Sequence, residues 1–195
     1  MAAPYHFFGA AERLGRLPDL GRAVRQGAAE RMNELPDDVL MFINVHPREL
    51  DDEQLYAPDS PLAPFAGRVV LEITERAPLD GVRDLTDRMC RLRDMGFRLA
   101  VDDLGAGYAG LATFSQLQPE IVKMDMSLVR GVDQDPTKAA VIRSMRQLCT
   151  DLGILVVAEG VETTAERDAL IHAGCPLLQG YLYGKPEPGF IGDNR

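Results

Sequence analysis

Phe97-Arg-Leu-Ala-Val-Asp-Asp-Leu-Gly-Ala-Gly-Tyr108 decides the fold. A short apolar run, Leu99-Ala100-Val101, stops at two adjacent carboxylates, Asp102 and Asp103, and glycines follow at 105, 107 and 110. The run reads as a buried strand, and the glycines read as a loop that bends sharply or lies close to something. Adjacent carboxylates at the mouth of a buried strand repel each other. They are costly there unless solvent, a cation or a proton intervenes.

The same layout recurs on both sides. Apolar runs over residues 40–45, 69–75, 121–124, 154–158 and 177–182 each carry a polar marker at or near the end: Asn44, Glu72, Lys123, Glu159 and Gln179. Between them lie helical patterns. Residues 10–35 form a broken helix with Leu14, Leu17, Leu20 and Val24 at helical spacing, and Pro18 opens its second half. A helix opened by Pro78 places Val82, Leu85, Met89, Leu92 and Met95 on one face, and Gly96 is placed to cap it. Further helices are expected over 109–117, over 137–152 with Val141, Met145, Leu148 and Leu152 inward, and over 164–173.

Alternating strands and helices predict parallel strands joined by crossover helices. An eight-stranded β/α barrel carries its site at the C-terminal ends of its strands, where all six markers fall. Six strands are expected in 195 residues, against the ~250 residues typical of a closed barrel. The shortfall is expected at the N-terminus, because the units run without a gap from Asn44 onward.

The bulk numbers fit one soluble globular domain, residues 1–195, with leading helices over 1–36 and the site-bearing units over 37–190. A net charge of −9 argues against DNA or anionic membranes as partners. Cys90, Cys149 and Cys175 are odd in number and far apart, which favours a reducing compartment over a disulfide framework. Neither a signal peptide nor a membrane-length apolar run is expected, so the setting reads as cytoplasmic.

Asn44, Glu72, Asp102 and Asp103 are oxygen donors of the kind that hold Mg²⁺ or Mn²⁺. The adjacent aspartates suit a pair of metals bridged by one carboxylate. Each alone could instead cap the following helix. Glu159 is the candidate general base. Lys123 would hold the attacking water or a phosphate oxygen, or else form a structural ion pair. Gln179 would orient water or substrate, or satisfy backbone. Glu75 could pin the loop after Asp103. It also reads as a surface acid, as does Asp125, and Glu162 reads as a solvated first-turn residue near the site. Gly105-x-Gly107-x-x-Gly110 matches a dinucleotide fingerprint. However, Asp102 and Asp103 would then face a bound pyrophosphate with no metal in that motif to screen them.

Six segments together resemble the EAL-domain family of cyclic di-GMP phosphodiesterases. They are Ile43-Asn-Val-His-Pro47, Leu71-Glu-Ile-Thr-Glu75, Val101-Asp-Asp-Leu-Gly-Ala-Gly-Tyr108, Val122-Lys-Met-Asp125, Val157-Ala-Glu-Gly-Val-Glu-Thr163 and Leu178-Gln-Gly-Tyr-Leu-Tyr-Gly-Lys-Pro186. The resemblance implies a modified (β/α)₈ barrel with one antiparallel strand and Mg²⁺- or Mn²⁺-dependent hydrolysis of cyclic di-GMP to linear pGpG. It implies Asn44, Glu72, Asp102 and Asp103 as metal ligands and Lys123 and Glu159 at the catalytic water. Glu75 would stabilise the loop after Asp103, and Gln179 would complete the site. Dimers and a sensory or regulatory domain elsewhere are also implied. The chain departs from the pattern at its start: the first two strands, including the Glu-Ala-Leu strand, are expected to be missing, and with them one ligand Glu and a substrate-holding Arg. His46 stands where the family usually has Ser. The alternative is an inactive EAL-like module that binds cyclic di-GMP or a protein partner.

Overall fold

The computed structural model describes residues 4–74, 79, 82–105 and 110–187. Among these, β1 (Met41–Asn44), β2 (Val69–Thr74), β3 (Arg98–Leu104), β4 (Ile121–Met124), β5 (Leu155–Ala158) and β6 (Leu177–Leu178) form one sheet in chain order, with every neighbouring pair parallel. The sheet curls into a half-barrel. Two helices lead in, α1 (Pro4–Arg13) and α2 (Leu17–Met32). Then α3 (Leu85–Asp94), α4 (Gly110–Leu117), α5 (Met126–Val129), α6 (Pro136–Asp151) and α7 (Thr164–His172) follow their strands. The antiparallel strand expected from the resemblance is not among the described strands.

Side chains alternate across each strand. Ile43, Leu71, Ile73, Leu99, Val101, Val122 and Met124 belong to the large core shared with the helices. Val70, Ala100 and Ile121 form a separate buried layer with Leu40 and Val157 against it. This inner layer is the apolar floor beneath the polar strand ends.

Two helices are rotated from their expected faces. On α2 the buried stripe is Leu17, Gly21, Arg25, Ala29 and Met32, while Leu14 and Val24 are exposed. The stripe was hidden because its central residue is charged. Arg25 lies buried between Glu49, at 2.6 Å, and Asp52, at 2.9 Å. On α6 the buried residues are Ile142 and Cys149, and Val141, Leu148 and Leu152 face solvent. Arg146 donates to the Gly174 carbonyl at 2.9 Å and helps fix that rotation. Strand β6 stops at Leu178, short of the expected run to residue 182. The single turn α5 was not expected from the sequence.

Candidate active site

Asp102 and Asp103 reach the site together because β3 bulges. Val101 pairs with Val122 and Leu104 with Met124, so two residues on β3 oppose Lys123 alone. In a regular strand consecutive side chains point to opposite faces. Here Asp103 adopts φ 62°, a left-handed conformation costly for a non-glycine residue, and its side chain stays near that of Asp102. Its N–H donates to Asp102 Oδ1 at 3.0 Å, and the Thr74 hydroxyl donates to Asp103 Oδ2 at 3.3 Å.

Glu159 follows β5 directly, and its N–H bonds the Met124 carbonyl at 3.1 Å. Asp102, Asp103 and Glu159 each place a carboxylate oxygen so that all three lie within 4.8 Å of one another. Lys123 Nζ stands among these acids, 2.5 Å from Glu159 Oε1, 2.5 Å from Glu72 Oε1 and 3.4 Å from Asp102 Oδ1. The register carries Glu72 level with Ala100, Ala100 level with Ile121, and Lys123 level with Val157. The polar markers therefore rise by two residues from β2 to β3 and again from β4 to β5, and stay level from β1 to β2 and from β3 to β4. Barrel strands tilt, so this diagonal in register becomes one plateau in space.

Electrostatics separates the roles. Burial is the main cause that pushes the Glu159 carboxyl up to about 7, with Lys123 pulling the other way and Asp102 and Glu72 adding to the rise. Glu72 is also raised, chiefly by burial. Burial disfavours the Lys123 ammonium, but Glu72, Asp102 and Glu159 outweigh it and raise its pKa above the ordinary value.

The other expected residues are less central. Asn44 ends β1 beside Glu72 in register, with an exposed side chain. Gln179 follows β6, exposed, its N–H on the Ala158 carbonyl at 2.9 Å. Asp125 is buried and caps α5, accepting from Ser127 N–H at 2.8 Å. Glu162 is exposed and ion-paired with Arg130. Glu75, Gly107 and Tyr108 lie outside the described residues. His46 caps a 3₁₀ turn: its Nδ1 accepts from Arg48 N–H at 3.2 Å, and its own N–H donates to Glu49 at 3.0 Å. A hydroxyl could accept the same bond.

Several participants were not singled out from the sequence. Thr74 and the β3 bulge are two. Glu166 is a third: buried, it accepts N–H groups from Gly131, Glu162 and Thr163. Its signal was present, since Thr163-x-x-Glu166 has the capping-box spacing and forms one. A cavity of about 280 Å³ opens from Asp103 and Glu159 toward Arg130, Glu162 and Tyr181.

The chain is thus a parallel α/β half-barrel with carboxylates and one lysine at its C-terminal strand ends, and Asp102, Asp103 and Glu159 form a group that could hold a metal ion. The chain belongs to the EAL domain family, whose model matches residues 1–186. It is 36% identical over 169 residues to the cyclic di-GMP phosphodiesterase RocR of Pseudomonas aeruginosa, covering 84% of this chain and 43% of that protein. It is 34% identical over 196 residues to the probable cyclic di-GMP phosphodiesterase PdeG of Escherichia coli, covering 94% and 38%. Klebsiella pneumoniae BlrP1, solved as a manganese/cy-diGMP complex, matches with a TM-score of 0.83 at 34% identity, over 95% of this chain and 48% of that one. The PaMucR phosphodiesterase with c-di-GMP matches with a TM-score of 0.80 at 29% identity, over 95% and 84%. The chain thus spans about two fifths of the length of these curated relatives. Among the described residues no helix is long and apolar enough to cross a membrane.

Proposed function

We propose that this chain hydrolyses one phosphodiester bond of cyclic di-GMP to give linear pGpG. The observation that carries the reading is the convergence of Asp102, Asp103 and Glu159 within 4.8 Å around the Lys123 ammonium. Relatives named for this activity, and neighbours solved with this nucleotide, support the substrate.

The donor set fits a hard divalent cation such as Mg²⁺ or Mn²⁺, because every candidate ligand is an oxygen. Asp102 and Asp103 would hold it, with Glu72 and Asn44 on the neighbouring strand ends, and the paired aspartates suit two such ions. When bound, the cation neutralises phosphate charge and makes a coordinated water more acidic.

The side chains divide the remaining work. Glu159, within 4.8 Å of the Asp102 and Asp103 carboxylates, is the carboxylate placed to act as general base. It accepts the proton of the attacking water. Lys123 stays protonated, so it donates hydrogen bonds to that water or to a phosphate oxygen and takes up no proton. The water oxygen bonds to phosphorus, and the P–O3′ bond breaks. The electron pair leaves on the 3′ oxygen, which is protonated by solvent. Gln179 orients water or substrate, Glu75 steadies the loop after Asp103, and Asp125 and Glu162 line the approach. A homodimer, a linked sensory or regulatory domain and a cytoplasmic setting belong to the same reading.

Turnover of cyclic di-GMP with Mg²⁺ and with Mn²⁺, run beside Glu159→Gln, tests the reading. The parent is expected to form pGpG and the variant to lose that product. A folded parent that binds the nucleotide and never forms pGpG overturns hydrolysis and leaves a binding module.

A further inference from the structure

Asp103 and Glu159 both stand where regular strand pairing ends. Asp103 sits in the β3 bulge, and Glu159 lies one residue past the end of β5. The single turn α5 fills the space between the two chain segments that follow them. On one side Leu128 packs on Gly105, two residues after Asp103: a Cβ there would fall 2.5 Å from Leu128 Cδ1. On the other side Met126 packs on Gly160, next to Glu159: a Cβ there would fall 2.6 Å from Met126 Cβ. Both glycines also have positive φ, 103° and 73°, so any side chain would be strained there as well as crowded. A helical turn of four residues has little stability of its own. Its start is fixed by Asp125, which accepts Ser127 N–H at 2.8 Å, and its underside by the fully buried Val129. The last carbonyls of a helix lack partners within it. Here Lys138, in the first turn of α6, supplies them: its Nζ donates to the Ser127 carbonyl and to the Arg130 carbonyl, each at 2.7 Å. Lys138 is itself anchored, since its N–H bonds Asp135 Oδ1 at 3.1 Å.

We propose that α5 is the spacer that sets the separation of Asp103 and Glu159, and that Lys138 is the positioning residue that locks it. The inference rests on the cyclic di-GMP reading for the use of that spacing. Lys138 acts through α5 and not on the reacting atoms. Its ammonium satisfies two carbonyls and suits the negative end of the turn. Without it those carbonyls turn to solvent, the turn frays, and Leu128 and Met126 release Gly105 and Gly160. Asp103 has the most to lose, because its left-handed backbone is costly and persists only while its surroundings hold it. A carboxylate site loosened in this way loses both its ion and its alignment with the attacked phosphorus.

Two readouts on Lys138→Met and Lys138→Arg test the assignment: Mn²⁺ affinity of the chelated protein, from the paramagnetic resonance of free Mn²⁺, and kcat and KM for cyclic di-GMP. Lys138→Met is expected to lose about tenfold to a hundredfold in Mn²⁺ affinity and in kcat, with KM nearly unchanged. Lys138→Arg keeps the cation and is expected to recover most of both. Leu128→Ala, which removes the side chain on Gly105 and leaves Lys138 in place, is expected to reproduce the loss. Thermal unfolding verifies that each variant is folded. A folded Lys138→Met with the parent's Mn²⁺ affinity and kcat overturns the inference and spares the proposed function. A parent that binds Mn²⁺ and never forms pGpG overturns the proposed function, and the inference is then decided by Mn²⁺ affinity alone, upheld by a loss in Lys138→Met and overturned by none. A folded parent that takes up no Mn²⁺ overturns both.

Discussion

Lys123 Nζ lies 2.5 Å from Glu159 Oε1, so the candidate base and the candidate water-holding cation are in direct contact across neighbouring strands β4 and β5. The contact is more than an ion pair at a surface, because the Lys123 side chain is 6% exposed and that of Glu159 17%. Lys123 is the internal counter-charge of the acidic cluster.

Replacing Lys123 by Met is therefore expected to destabilise the metal-free protein by about 3–5 kcal/mol at pH 8, the usual cost of leaving a buried charge without its partner. The loss should shrink at pH 5, where the carboxylates can take up protons instead. Added Mn²⁺ should recover part of it. Urea unfolding at the two pH values, with and without Mn²⁺, reads all three effects. An unchanged midpoint at pH 8 would show that Lys123 carries no such role.

Glu159→Gln keeps the shape and removes the candidate base. Cyclic di-GMP turnover should fall by about 10²- to 10⁴-fold with little change in KM. Steady-state rates by product chromatography measure this, and a loss of less than tenfold would assign the proton to another group.

The raised pKa of Glu159 also shapes stability. Folding moves this carboxyl from its free value up to about 7, so the folded state binds the proton more tightly than the unfolded chain does. Its contribution to stability is complete below the free carboxyl range and is lost as pH rises through about 7. In chelated, metal-free protein, the stability of the parent should decline relative to that of Glu159→Gln between pH 5 and pH 8. Parallel curves for the two proteins would contradict the shift.

Two glycines on α2 should respond oppositely to alanine. A Cβ on Gly21 would fall 1.5 Å from Glu49 Oε2 and 3.0 Å from Arg25 Nη1, so Gly21→Ala displaces the buried Arg25–Glu49 pair and should cost about 1–3 kcal/mol. A Cβ on Gly27 meets nothing within 4 Å, and Gly27→Ala should gain up to about 1 kcal/mol from helix propensity. Chemical denaturation of both variants tests the contrast, and equal effects would contradict the packing described for Gly21.

Much of this arrangement was legible because its signal is local. Each strand is a short apolar run with a polar residue at its end, and Asp102, Lys123 and Glu159 could be placed from that pattern alone. The bulge at Asp103 could not, since it exists only relative to the register of β4. The rotation of α6 was ambiguous because Val141 and Leu148 on one face compete with Ile142 and Cys149 on the next. On α2 the inward stripe contains Arg25, whose partners Glu49 and Asp52 lie more than twenty residues away in the chain, so no window of sequence marks it as buried. Glu166 was within reach through its capping-box spacing, whereas its bond to Gly131 depends on how two loops meet.

The order of the strands in the sheet repeats their order in the chain, and this has a consequence for synthesis. A chain emerging from the ribosome can lay each strand against the one made just before it, without waiting for a distant partner. The charges arrive out of step with the strands. Glu72 and Asp102 take their places on the second and third strands, and Lys123 reaches them only with the fourth. Until then the growing sheet must carry these acids protonated or wet. The Lys123 ammonium thus first serves as the group that lets the nascent sheet close over its acids.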